Sequence, residues 1–173
     1  AYGTETIPKV NKIFGPGNSW VNTAKQLIST LNIPVSIDMP AGPTEVLIIS
    51  DGETNPLFVA FDLLSQAEHG ADSQVILISD DEAFLNKVII EIKNALKNIS
   101  TKEIAGQSLK NSKFIYVKNI KCAFNISNSY SPEHLIISMQ SAEQWLDAVE
   151  SAGSIFLGEW SPESAGDYCT GTN

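Results

Sequence analysis

The chain has 173 residues, enough for an ordinary domain with a real core, and its 43% hydrophobic content is that of a globular protein rather than a disordered or fibrous one. The formal charge is −9 and all eleven basic residues are lysine, so both the basic footprint of a nucleic-acid binder and the arginine fork that grips phosphates are missing. No apolar run reaches the roughly 18 residues of a spanning helix, and the start has no signal-peptide pattern. Cys122 and Cys169 form neither a metal spacing nor a disulfide framework. The expectation is a cytoplasmic protein with no membrane or nucleic-acid partner.

KVNKIFG (residues 9–15) reads as strand-like, and a helix follows over 19–31. SIDMPAGP (36–43) looks like a join between two units, which puts the expected domains at 1–36 and 37–173. EVLIISD (45–51) is a short apolar run closed by turn residues, the pattern of a buried strand. Thr54, Asn55 and Pro56 then supply helix-start signals. A helix over 57–68 is predicted with Leu57, Phe58, Phe61 and Leu64 facing the core. SQVILISD (73–80) repeats the strand pattern. Phe84, Leu85, Val88, Ile89, Ile92, Ala95, Leu96 and Ile99 mark one apolar helix face. KFIYV (113–117) is a third strand, 120–127 a short helix and HLIIS (134–138) a fourth strand. Ser141 and Gln144 suggest a capping box opening a helix through Trp145, Leu146 and Val149; SIFLG (154–158) is a fifth strand. Strands alternating with helices predict an α/β fold with a mostly parallel sheet covered on both faces, incomplete and Rossmann-like, with ligands beyond the carboxyl ends of the strands.

Both histidines directly follow a glutamate: Glu68-His69 and Glu133-His134. Asp62, Gln66 and His69 are spaced by four and three residues, which sets them on one helix face. From spacing alone this reads first as a solvated polar face with a histidine near the helix C-terminus, and only second as a ligand cluster. Glu133-His134, between Pro132 and a strand, pairs a group able to act as general base near neutral pH with a carboxylate able to activate water. The tail GEWSPESAGDYCTGTN (158–173) offers Glu159, Glu163 and Asp167 as possible ligands, or is simply a loose end. FGPGNSW (14–20) has two glycines before a helix but lacks the third glycine of the dinucleotide fingerprint, so a helix-entry turn fits it as well. No Gly-x-Ser-x-Gly elbow is present.

Five blocks together resemble the histidinol dehydrogenase family: KIFGPGN, IDMPAGPTEVLIISD, DLLSQAEHGADSQVIL, SPEHLI and GSIFLGEWSPESAGDYCTGTN. They span nearly the whole chain in the family's order and spacing. The resemblance implies a zinc-dependent, NAD-linked dehydrogenase that closes histidine biosynthesis, oxidising L-histidinol to L-histidinal and then to L-histidine with two NAD⁺. It implies that Gln66, His69 and Asp167 are zinc ligands, that His134 is the general base and that Glu133 activates water before the second oxidation. Asn18 matches a residue contacting NAD, and Thr44 stands where the family commonly has a substrate-contacting serine. Gln66, His69, His134 and Asp167 would also line the substrate, whose imidazole and amino groups the zinc holds. Glu68 receives no role.

The chain is less than half the family's length. The resemblance therefore implies a central fragment that lacks a fourth zinc ligand and a substrate-binding glutamate, both given across a homodimer, and that does not turn over histidinol alone. Residues before 36 would be a remnant of the adjoining dinucleotide-fold-like domain. The alternative from another class is a non-catalytic α/β binding or assembly module, whose behaviour would not depend on His69 or Asp167.

Overall fold

The structure is a computed structural model that describes residues 1–15, 19–31, 34–38 and 44–166. The chain divides into two compact units, Ala1–Gly42 and Pro43–Asn173.

In the first unit, strand β1 (Lys12–Ile13) pairs in parallel with β2 (Ser36–Ile37), and helix α1 (Ser19–Thr30) lies between them in sequence. The buried Lys25 pairs with Asp38 and donates to the Gly15 carbonyl at 2.9 Å; the Gly15 N–H donates to Asp38 at 2.8 Å. These partners hold the Asp38 carboxyl below its ordinary range, the Lys25 bond first among them. Trp20 and Leu27 are exposed.

The second unit is a five-stranded sheet in the order β5-β4-β3-β6-β7, every pair parallel. Its strands are β3 (Glu45–Ser50), β4 (Gln74–Ser79), β5 (Lys113–Tyr116), β6 (His134–Ser138) and β7 (Ser154–Leu157). Because side chains alternate across a strand, each run feeds two cores. Val46, Ile48, Val75, Leu77 and Ile136 meet helices α2 (Pro56–Ala67), α3 (Glu82–Ala95) and α4 (Lys102–Asn111) through Val59, Leu63, Phe84, Val88 and Ala105. Leu47, Ile49, Ile76, Ile78, Leu135 and Ile137 meet α5 (Ile120–Tyr130) and a 3₁₀ turn over Ala142–Ala148 through Ala123, Phe124 and Ala142. Phe124 stacks on Trp145 at 5.1 Å. The expected parallel α/β class is what the sheet shows.

Several local expectations change. Leu57 and Phe61 are exposed; α2 buries Val59, Ala60, Leu63, Leu64, Gln66 and Ala67 instead. The stripe is rotated so that Val59, Ala60, Leu63, Leu64 and Ala67 join the core built on Val46, Ile48, Val75 and Leu77. Phe58 turns outward to meet Trp160 edge-on at 5.0 Å. Helix α4 has no counterpart among the predicted elements, since only Ala105 and Ser108 are buried in it. Helix α5 runs on to Tyr130, past the expected end at 127. The expected capping box at Ser141 makes no side-chain cap bond, and a 3₁₀ turn forms where an α-helix was expected. Among the described residues no helix is long and apolar enough to cross a membrane.

Candidate functional site

The carboxyl ends of β3 and β6, where the sheet order reverses, are the expected ligand crevice of such a fold. Here they are closed by the chain itself. Ser50 and Ser138, the last residues of the two strands, share hydrogen bonds with Thr54 at 3.2 and 3.0 Å, and Thr54 also donates to the Ser138 carbonyl at 3.2 Å. All three hydroxyls are buried. The N-terminus of α2, the place for a phosphate, is occupied by Asn55, which accepts from the Leu57 N–H at 3.0 Å, and by Glu159, which accepts from the Asn55 N–H at 3.3 Å. Helices α3 and α5 are likewise capped by Asp81 and Asn119.

The candidate residues gather at the opposite, amino edge of the sheet. Thr44 immediately precedes β3, Glu133 immediately precedes β6 and His134 opens it. Helix α2 runs back from the carboxyl end of β3, so its last turn brings Gln66 to the same edge. Gln66 Nε2 donates to Thr44 Oγ1 at 2.7 Å, and Thr44 Oγ1 donates to Glu133 Oε2 at 2.8 Å. Gln66 is 1% exposed, and its Oε1 is buried with no hydrogen-bond partner. An orphaned buried carbonyl costs about 1–3 kcal/mol unless a water or a ligand meets it.

The tautomer of His134 follows from its neighbours. Nδ1 lies 3.2 Å from the Glu45 carbonyl, which can only accept, so Nδ1 carries the proton. Nε2 is then the basic nitrogen. Glu163 Oε1 stands 3.9 Å from Nε2, and Glu133 Oε2 stands 3.9 Å from Nδ1. Tyr130 braces this edge: its hydroxyl is 2.6 Å from both Glu45 Oε2 and Gln74 Oε1, and burial first, then Glu45, pushes it above the usual phenol range.

Glu163 was legible only as one possible ligand in the tail; its place beside His134 comes from the path of the chain after β7. Glu159 caps α2, Trp160 packs on Phe58, and Pro162 and Ser164 line a cavity of about 310 Å³ with Phe61, Asp62, Ser65, Glu68 and Ile99. The segment thus runs along α2 from one edge of the sheet to the other and delivers the buried Glu163 to the site. Asp62 is pushed up to about 7, by burial first and by the Glu163 charge second.

His69 is exposed, one turn beyond Gln66 at the end of α2. Glu68 Oε2 accepts from Thr101 Oγ1 at 2.7 Å, tying α2 to the start of α4. Asn18, Asp167 and Cys169 lie outside the described residues. Among the described residues no three His, Cys, Asp or Glu side chains form a ready cation site. The Gln66 oxygen nonetheless fits a cation: a neutral buried donor without a partner, one helical turn from an accessible imidazole.

A family model described as histidinol dehydrogenase matches residues 1–173. The histidinol dehydrogenase of Colwellia psychrerythraea is 56% identical over all 173 residues, and that of Pseudoalteromonas translucida 54%. In each case the chain spans 40% of the relative's length. The crystal structure of histidinol dehydrogenase from Elizabethkingia anophelis superposes with a TM-score of 0.91 at 54% identity, covering 98% of this chain and 39% of that one. A gamma-glutamyl phosphate reductase from Thermotoga maritima shares the fold at 13% identity and a TM-score of 0.56.

Proposed function

This chain belongs to the histidinol dehydrogenase family, and from that premise we propose that its amino-edge site carries the acid–base centre and part of the metal site for oxidising L-histidinol to L-histidine. The observation that supports this best is the pairing of a His134 whose Nδ1 is committed to the Glu45 carbonyl with a Glu133 whose Oε2 is already satisfied by Thr44.

His134 Nε2 takes the hydroxyl proton of the alcohol as it is oxidised to the aldehyde. The imidazolium so formed is balanced by Glu163 on one side and Glu133 on the other. A histidine with its other nitrogen committed to a carbonyl cannot rotate away or switch tautomer, which favours proton transfer at one fixed atom. Glu133 Oε2 is engaged by Thr44, leaving Oε1 to take a proton from the water that hydrates the aldehyde before the second oxidation. The Glu133 side chain is 31% exposed, so water can reach it; that of His134 is 6% exposed.

Gln66 through Oε1, His69 through its ring and Asp167 would hold zinc, which when bound fixes the substrate's imidazole and amino nitrogens rather than performing the proton transfers. Among the described residues of the second unit, the N-termini of α2, α3 and α5 are each closed by a side-chain cap. NAD as the acceptor, with Asn18 as its contact, rests on the family alone, as do the homodimer and the cytoplasmic setting. The domain division at 36/37, with the first part a remnant of an adjoining domain, is part of the same reading. Since these residues account for only part of the ligand set that the family resemblance implies, the 173 residues alone are proposed to be inactive.

A chimera tests the reading: these 173 residues replace the matched segment of the Colwellia psychrerythraea protein, and NADH formation from L-histidinol is followed with zinc present. Histidinol-dependent turnover that falls by about 10²–10⁴ on His134→Ala is expected. A folded chimera that is inactive beside an active parent would overturn the proposal, as would turnover that survives His134→Ala.

A further inference from the structure

Gln66 and Glu133 face each other across one hydroxyl, and the protons available fix the direction of both bonds. A carboxylate only accepts, so the single O–H proton of Thr44 goes to Glu133 Oε2, at 2.8 Å. The Thr44 oxygen can then only accept from Gln66, which must present its NH₂, at 2.7 Å. The Gln66 carbonyl is thereby turned away from Thr44, and it is this atom that lies buried without a hydrogen-bond partner. An amide is nearly symmetric in shape, and either orientation would fit the same space. What selects one of them here is the negative charge on Glu133, transmitted through the threonine hydroxyl.

We propose that Thr44 is a positioning residue that couples the two halves of the site: through its hydroxyl, the ionised Glu133 locks the Gln66 amide with its oxygen free to hold a metal ion. The part concerning the metal rests on the proposed role of Gln66 as a ligand; the amide lock itself does not. Coupling of this kind is reciprocal. A cation on Gln66 Oε1 polarises the amide and strengthens its donation to Thr44, which in turn strengthens the Thr44 bond to Glu133. The residue that activates water and the residue that holds the metal therefore share one chain of three polar groups, although Glu133 touches no metal.

The test has two readouts. One is the side-chain NH₂ resonances of Gln66 in the zinc-free 173-residue chain; the other is the zinc affinity of the chimera, which supplies the rest of the ligand set, by competition with a chromophoric chelator. Thr44→Ser keeps the hydroxyl, Thr44→Val removes it in nearly the same shape, and Glu133→Gln removes the charge in the same shape. The expected result is one ordered Gln66 NH₂ signal in the wild type and T44S, and a split or averaged signal in T44V and E133Q. Zinc affinity falls about tenfold or more in T44V and E133Q and stays near wild type in T44S, the range typical of groups that orient a ligand. An unchanged Gln66 signal in both T44V and E133Q would overturn the lock. Zinc affinity lost in His69→Ala but unchanged in T44V and E133Q would overturn the coupling while leaving the metal reading intact. Failure of the unsubstituted chimera to take up zinc would overturn the metal reading and the coupling to it.

Discussion

Gly153 lies so close to Glu133 that a Cβ on it would sit 2.6 Å from the Glu133 carbonyl oxygen. The contact is backbone against backbone: the Gly153 N–H donates to Pro132 at 3.0 Å and the Ser154 N–H donates to Glu133 at 2.8 Å. Neither partner can give, because His134 and Ser154 are already in register as the first residues of paired strands. Glycine is therefore required by proximity rather than by backbone angle. Gly153→Ala is expected to cost about 1–3 kcal/mol, read from urea denaturation, because one strand start must move off the other. In the chimera it should also lower turnover, since the residue displaced is the one that precedes His134. Wild-type stability and turnover in the variant would show that the loop before β6 is softer than the packing implies.

Much of the fold could be read from the sequence because its dominant force is the burial of apolar strands. Every strand of the five-stranded sheet is an apolar run, and each was legible within a residue or two. Helix α4 was not, because only two of its side chains are buried and Gly106 interrupts its interior. The face of α2 was misread for a related reason: Leu57 and Phe61 are large and apolar yet exposed, while the polar Gln66 is buried. Spacing alone put Gln66 on a polar face and could not tell a solvated amide from one held by Thr44. The place where the candidate residues gather was also hidden, because the general rule about carboxyl ends points to the other edge of the sheet. At that end Ser50, Thr54 and Ser138 are hydrogen-bonded to one another, and no local pattern announces a contact between residues 84 positions apart.

The burial of Asp62 gives the unit a pH dependence whose sign can be worked out. Its carboxyl is pushed from 3.8 up to about 7, by burial first and the Glu163 charge second. Between those values the folded chain binds a proton that the unfolded chain does not, so this group's contribution to stability is complete below about pH 4 and is lost as pH rises towards about 7. Asp62→Asn keeps a neutral side chain at every pH. The variant and wild type should melt alike near pH 4, and the variant should melt higher at pH 7.5. Thermal melts at three pH values check this; a constant difference between the two proteins would refute the assignment.

Glu68 shares its sequence pattern with Glu133 but not its partner, Thr44. It takes the Thr101 hydroxyl at 2.7 Å, which leaves the start of α4 without a side-chain cap of its own. The bond is exposed, so Glu68→Ala is expected to cost no more than about 1 kcal/mol and to leave zinc affinity unchanged. Loss of zinc in this variant would instead place Glu68 among the ligands.

Glu163 joins the candidate site to the cavity beside it, since it faces His134 Nε2 at 3.9 Å and raises Asp62 by its charge. Glu163→Gln removes the charge and keeps the shape, so two independent measurements should move. In the chimera, kcat for histidinol should fall by about tenfold, because the imidazolium formed at His134 loses one of its two flanking carboxylates. In the 173-residue chain, the pH window of Asp62 should narrow without closing, because burial is the larger of its two causes and remains. A variant with the pH profile altered but kcat intact would mean that Glu163 serves the packing of the segment along α2 and not the proton transfer. The reverse result would mean that the charge felt by Asp62 comes from elsewhere in the site.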